Sequence, residues 1–261
     1  MVDNRYISII ENIFFKKYVE GCEQVFFNRE DIIKMSESLK IALPKNIGDI
    51  IYSFKYRTDL PLSIAQKARP GREWVIKNIG RGRYVFQEVN YSRILPDPML
   101  STIKILDSTP AIVTEYALND EQALLTRVRY NRLIDIFTGV VCYSLQNHLR
   151  TTVPNIGQIE TDEIYVGVDK LGRQFIFPVQ AKGGRDLLNV VQIEQDFALC
   201  YSKYPQLICR PIATQFMSYD RIAIFEFILA NNMVQKLNEK HYLLVKSGDI
   251  SKEELNNYNS F

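Results

Sequence analysis

The 261-residue sequence has little of what builds metal clusters or disulfide frameworks. Its four cysteines, Cys22, Cys142, Cys200 and Cys209, are scattered without a C-x-x-C, and only His148 and His241 could join them. A zinc site draws several such ligands from close spacings, so none is expected. The same scatter speaks against a disulfide scaffold and for a reducing, cytoplasmic interior in which each thiol acts as a small buried hydrophobe. No apolar run approaches the ~18 residues that a membrane span requires, so no membrane partner is expected. The opening Met1-Val2-Asp3-Asn4-Arg5 carries an acid and no apolar core of a signal peptide, so export is not expected either. Internal repeats and low-complexity tracts are also missing.

What is present is the composition of a packed globular chain: 46% hydrophobic and 24% charged residues. The length suits one large domain or two modest ones. The net charge of +2 is unevenly spread. From Arg29 to Arg93 there are 13 Lys and Arg against seven Asp and Glu, a local net of +6, so the remainder is net acidic.

The most informative stretch runs from Gly157 to Lys182. Tyr165, Val166 and Val168, then Phe175, Ile176, Phe177 and Val179, are aromatic or β-branched, and Asp169-Lys170-Leu171-Gly172 separates the two runs. This is the pattern of a β-hairpin, with Gly172 suited to a positive φ in a bulged loop. A loop at Lys170–Gly172 sets Val168 opposite Gln174, Asp162 opposite Gln180 and Glu160 opposite Lys182. Directly opposed residues share a face and stand about 5 Å apart. Glu160, Asp162, Gln180 and Lys182 are therefore expected on one face at one end of the hairpin. A carboxylate beside a neutral oxygen can hold Mg²⁺, and a neighbouring lysine can orient water or neutralise charge on a phosphorane. The same four residues also fit the solvated end of an ordinary hairpin.

In these residues the chain resembles the PD-(D/E)xK nuclease superfamily, over roughly Asp120 to Phe216. An Asp on one strand, Asp162, is followed on the next by Gln180-Ala181-Lys182, a Q-x-K variant of D/E-x-K. The resemblance implies a restriction-endonuclease-like core of α/β (α+β) class, with a central mixed sheet flanked by helices. It implies Mg²⁺ held by Asp162, Gln180 and the Ala181 carbonyl, with Lys182 positioning water and Glu160 as an alternative acid. Glutamine is neutral, so the site loses one negative charge, leaving a single metal or Glu160 to supply it. The helix before the hairpin sometimes lends an acid, and Glu121 and Asp135 are the candidates, although a cap and a surface ion pair suit them better.

The basic segment supplies a second reading. Asn28 is a cap for a helix over Arg29–Leu39; Pro44–Arg57 and Leu60–Lys67 read as further helices. Strands at Trp74–Lys77 and Tyr84–Gln87 flank the turn Gly80-Arg81-Gly82-Arg83. Three short helices and a hairpin are the order of a winged helix, which places a helix in the major groove of DNA. Lys45, Lys55, Arg57, Lys77, Arg81 and Arg83 are the candidate DNA contacts, their charge providing the phosphate-binding component. The bland alternative is a docking domain with ordinary surface lysines.

The rest is read as follows. Asp3–Tyr18 is a packing helix. Ile94–Met99 is a linker with two prolines, and Ala111–Tyr116 a short strand. Asn119 caps a long helix from Asp120 to Leu149, bent at Gly139. Gly183-Gly184 allows close backbone approach to a phosphate. Leu187–Tyr204 is a helix, and Leu207–Ala213, Ile222–Leu229 and Lys240–Val245 are strands; Ser251–Phe261 frays or docks as one short helix. The expected domains are 1–95 for DNA recognition, 96–118 as linker and strand, and 119–261 as nuclease. The expected activity is Mg²⁺-dependent cleavage of double-stranded DNA by a homodimer of restriction type. A DNA-binding regulator with an inactive core, or a repair nuclease acting on structured DNA, is the alternative.

Overall fold

The computed structural model describes residues 4–116, 121–183, 186–218, 221–231 and 233–259. The expected cap Asn119, its neighbour Asp120 and Gly184 lie outside them. The chain divides into two compact units. The first comprises Met1–Ile94, Arg150–Ile159 and Asn189–Gln195; the second comprises Leu95–Leu149, Glu160–Leu188 and Asp196–Phe261. The two later excursions into the first unit are absent from the contiguous domains expected from sequence.

The first unit begins with α1 (Asn4–Lys17), β1 (Gln24–Asn28), α2 (Arg29–Leu39), α3 (Gly48–Tyr56) and α4 (Leu62–Ala65). It continues with β2 (Glu73–Asn78), β3 (Arg83–Val89) and β4 (Arg93–Ile94). Asn28 caps α2 through a reciprocal box: its side chain accepts the Asp31 N–H at 3.0 Å, and Asp31 accepts the Asn28 N–H at 2.8 Å. β1 is not expected from sequence, being only five residues long. It alternates, with Val25 and Phe27 inside and Phe26 outside, and pairs antiparallel with β3. The resulting sheet has the order β1-β3-β2. Phe14 from α1 meets Trp74 and Phe86 edge-on, each at 5.2 Å, and anchors the core. Gly80 and Gly82, with φ of 136° and 67°, form the turn between β2 and β3.

The chain continues with β5 (Thr102–Leu106), α5 (Ala111–Tyr116), α6 (Glu121–Tyr130), α7 (Leu133–Thr138) and β6 (Val141–Val153). Then come β7 (Gly157–Val168), β8 (Gln174–Lys182), β9 (Leu188–Asn189) and α8 (Val190–Lys203). β10 (Ile208–Cys209), β11 (Ile212–Ser218), β12 (Arg221–Ala230), β13 (Met233–Val245) and α9 (Lys252–Tyr258) complete the chain. These elements belong to the second unit, except for the end of β6 from Arg150, the start of β7 to Ile159, and Asn189–Gln195 in β9 and α8. The sheet order is β5-β13-β12-β11-β8-β7-β6, with β10 beside β8. It is mixed: β7 runs antiparallel to β8, while β11 runs parallel to it. Phe175, Phe177, Val179 and Ala181 of β8 pack with Leu124, Val128 and Ile134 of α6 and α7. Alternate residues of β8 thus face those helices, as a period of two requires.

Two expected elements differ in kind. The long helix over Asp120–Leu149 ends early, because Arg132 and Gly139 take the left-handed conformation, at φ 50° and 68°. Past Gly139 the chain extends into β6. Ala111–Tyr116 is a helix, not a strand. The Pro110 carbonyl accepts the N–H groups of Val113 and Thr114, so proline opens a helical turn that outweighs the β-branched residues. The expected linker is followed directly by β5, which pairs parallel with β13. Among the described residues no helix is long and apolar enough to cross a membrane.

Candidate functional site

The hairpin register is Val168 opposite Gln174 through Glu163 opposite Val179. The Asp169 carboxylate closes the turn by accepting the N–H groups of Leu171 and Arg173, each at 2.9 Å, and Gly172 sits at φ 76°. Beyond Glu163 the ladder stops. There Asp162 Oδ2 accepts the Ala181 N–H at 2.8 Å, a side chain replacing a strand carbonyl.

This substitution changes which residues meet. An unbroken register would set Thr161 opposite Ala181 and Asp162 opposite Gln180. Instead Thr161 Oγ1 donates to Asp196 Oδ1 at 2.6 Å, and Gln180 Nε2 donates to the same carboxylate at 3.1 and 3.0 Å. Thr161 therefore stands on the face of Gln180, a slip of one residue such as a bulge produces. The four sequence candidates do not form one solvent-facing cluster. Gln180 is sealed, 1% exposed, against α8. Asp162 is half-buried beside Ala181, and the Lys182 ammonium pairs with Glu121 at 4.0 Å. Glu160 carries His148 on its carboxylate at 3.2 Å and accepts the Gln180 amide on its backbone carbonyl at 3.3 Å. Asp135 belongs elsewhere: it accepts the Cys142 N–H at 2.9 Å and pairs with Arg132.

Electrostatics tie the cluster together. Burial raises the Asp162 pKa above the usual carboxylate value; the Lys182 ammonium and the Ala181 N–H oppose this, while Glu121 and Glu160 add to it. Asp196, fully buried on α8, is pushed up to about 7, first by burial and further by Asp162, against the hydrogen bonds from Thr161 and Gln180. Gln215 on β11 stands in register with Lys182; it is 7% exposed and its Oε1 has no hydrogen-bond partner among the described residues. Asp196 and Gln215 are residues of this cluster that the sequence pattern does not assign to it. Asp196 carries one signal, a lone acid on an otherwise apolar helix face; Gln215 carries none.

Asp162 thus feels the Lys182 ammonium on one side and the negative charge of Glu121 and Glu160 on the other. Magnesium commonly takes only one or two protein carboxylates and keeps several waters. At the open end of the hairpin Asp162 offers one carboxylate, whose Oδ2 also accepts the Ala181 N–H. Among the described residues no group of three or more His, Cys, Asp or Glu converges as a ready-made cage.

The basic candidates lie in the first unit and do not behave alike. Lys45, Arg57, Arg81 and Arg83 are exposed. Lys55 is 6% exposed, with its amine 3.4 Å from Asn78 Oδ1 and 4.8 Å above the Tyr56 ring. Lys77 pairs with Glu194 at 2.7 Å. Lys55 is thus a core residue and Lys77 an ion-pair partner, so neither offers a bare charge to a phosphate. No family model, curated protein or solved structure matches the chain.

Proposed function

We propose that the chain is a Mg²⁺-dependent DNA endonuclease of restriction type, acting on double-stranded DNA as a homodimer. The observation that carries this reading is Asp162 fixed on the Ala181 backbone, one residue from Lys182, with Glu121 and Glu160 close by. The mixed sheet, in which the β7–β8 hairpin continues through parallel pairing of β8 with β11, supports a restriction-endonuclease-like core. A helix–strand–helix order in which β1 joins the free edge of β3 supports a winged-helix-like first unit.

Asp162 would hold the cation at the open end of the hairpin, with the Ala181 carbonyl as a neutral oxygen; Gln180, the expected third ligand, is turned onto Asp196 and would not reach it. When bound, Mg²⁺ supplies charge neutralisation at the scissile phosphate. Lys182 orients the attacking water by donating hydrogen bonds and offsets negative charge as the phosphorane forms. Arg81, Arg83, Lys45 and Arg57 dock the DNA backbone. Plasmid nicking with and without Mg²⁺ tests the reading: wild type cuts, and Asp162→Ala and Lys182→Ala do not. Cutting retained by both variants would overturn it.

One observation favours a second reading, a DNA-binding regulator with an inactive core. Gln180 is neutral and its amide is turned onto Asp196. A gel shift without cleavage under any divalent metal would select this reading. Branched and linear duplexes offered together separate a repair nuclease from a restriction enzyme.

A further inference from the structure

We infer that the outer edge of β6 is the self-association surface of this chain, two copies joining β6 to β6 in antiparallel register about a two-fold axis near Leu145. This gives the homodimer of the preceding section its interface. It rests on that reading for the number of copies alone and needs neither metal nor DNA.

The two ends of the large sheet are treated differently. At one end β5 is covered: the Tyr258 hydroxyl of α9 accepts the Lys104 N–H at 3.1 Å, and the Lys104 ammonium pairs with Glu254 at 2.7 Å. At the other end stands β6, and among the described residues no strand pairs with its outer side. An open edge is a row of unpaired N–H and C=O groups that templates another strand, and folded proteins usually guard it with charge, proline or a bulge. Residues 141–147 of β6 carry no charged side chain and no proline. Two local features bound the open run. The Cys142 N–H is already taken by Asp135 at 2.9 Å, and His148, at φ 51°, ends the regular strand. Residues 143–147 lie between them.

The side chains point the same way. Val141, Tyr143 and Leu145 alternate along the strand and so share a face. They are 51%, 62% and 50% exposed, while Cys142 between them is buried. A stable interface covers about 800 Å² on each partner, more than so short a ladder supplies. Tyr130 and Ile136, both half-exposed, border the same hollow as Val141 and extend the apolar surface past the strand. A second copy suits this edge because the strand is complementary to itself. With the axis near Leu145, that residue meets its own copy, Tyr143 meets Asn147 of the second copy, and Ser144 meets Gln146 of the second copy. No like charges are opposed, and an isologous contact of this kind closes as a dimer.

Sedimentation equilibrium of the full chain, free of DNA, tests this with wild type, Leu145→Lys, Leu145→Glu and an equimolar mixture of the two variants. Wild type is expected to be dimeric at micromolar concentration. Each variant alone sets like charges across the axis and should weaken the dimer by about a hundredfold or more. The mixture sets Lys against Glu and should recover it. Leu145 is half-exposed, so both variants should keep the wild-type circular dichroism spectrum; Tyr143→Lys, at the more exposed neighbour, replaces either one that unfolds and should also weaken the dimer. A monomeric wild type, a dimer that the folded variants leave intact, or a mixture of folded variants that stays monomeric would overturn the inference. Plasmid cutting separates it from the endonuclease reading. A wild-type dimer that cuts no DNA with Mg²⁺ would end that reading and leave the interface standing, and a wild-type monomer that nicks would do the reverse.

Discussion

Asp162 Oδ2 accepts the Ala181 N–H at 2.8 Å where the β7–β8 ladder breaks off. One side chain thereby does two things: it satisfies a strand amide and it holds a carboxylate at the end of the hairpin. The two can be separated. Asp162→Asn keeps an oxygen for the amide and removes a charge that burial disfavours. Because the folded pKa is raised, the ionised acid weakens the fold at neutral pH, and that penalty fades on acidification. Asp162→Asn should therefore melt at or above wild type at pH 7, while Mg²⁺-dependent nicking is lost. Asp162→Ala leaves the amide without an acceptor and should cost about 1–2 kcal/mol in urea unfolding. Equal stability of the Asn and Ala variants would show that the bond is unimportant to the fold.

The hairpin is legible in the sequence because alternation and a terminal glycine are local signals. Val168 opposite Gln174 follows from the turn alone. The slip at Thr161 is not legible, since it depends on Asp162 competing with a backbone carbonyl for one N–H. Asp196 shows itself in the sequence only as an acid on an apolar helix face; its pairing with Gln180 does not, since the partner lies 16 residues away on another element. Asn28 and α2 are readable because a capping box spans four residues. β6 is hidden because apolar residues before and after Gly139 continue a helical pattern that the left-handed glycine cuts.

Lys55 gives a pH signature in the first unit. Burial lowers its pKa from 10.5 to about 8. Between those values the unfolded chain binds more protons than the folded one, so stability rises with pH across that window, and the penalty is fully present below about 8. Lys55→Met should raise stability at pH 7 by about 2–3 kcal/mol and remove the gain between about pH 8 and 10. Thermal melts across that range measure it. A variant with the same alkaline gain as wild type would assign the effect to another group.

DNA binding should sort the basic residues by exposure. Removing one phosphate-binding charge lowers the slope of log affinity against log salt by about 1. Arg81→Ala and Arg83→Ala should each do so, while Lys55→Met, whose amine is buried, should leave the slope unchanged. Fluorescence anisotropy on a short duplex at several salt concentrations reads this directly. A wild-type slope near zero would remove the basic turn as the docking surface.

Gly167 separates stability from chemistry. A Cβ at this position would lie 2.7 Å from Val140 Cγ1, 3.0 Å from the Val141 carbonyl and 3.1 Å from Cys142 Sγ. Val140 can rotate, but the carbonyl belongs to the backbone at the start of β6 and moves only if the strand moves with it. Gly167→Ala should therefore cost about 1–3 kcal/mol, the usual penalty for overpacking a tight contact. The position lies at the turn end of β7, away from Asp162 and the broken ladder. The folded fraction should then nick plasmid at the wild-type rate below the melting transition. A fall in that rate at full folding would mean that the spacing of β6 and β7 reaches the site, and that the charge cluster depends on the whole hairpin rather than on its open end.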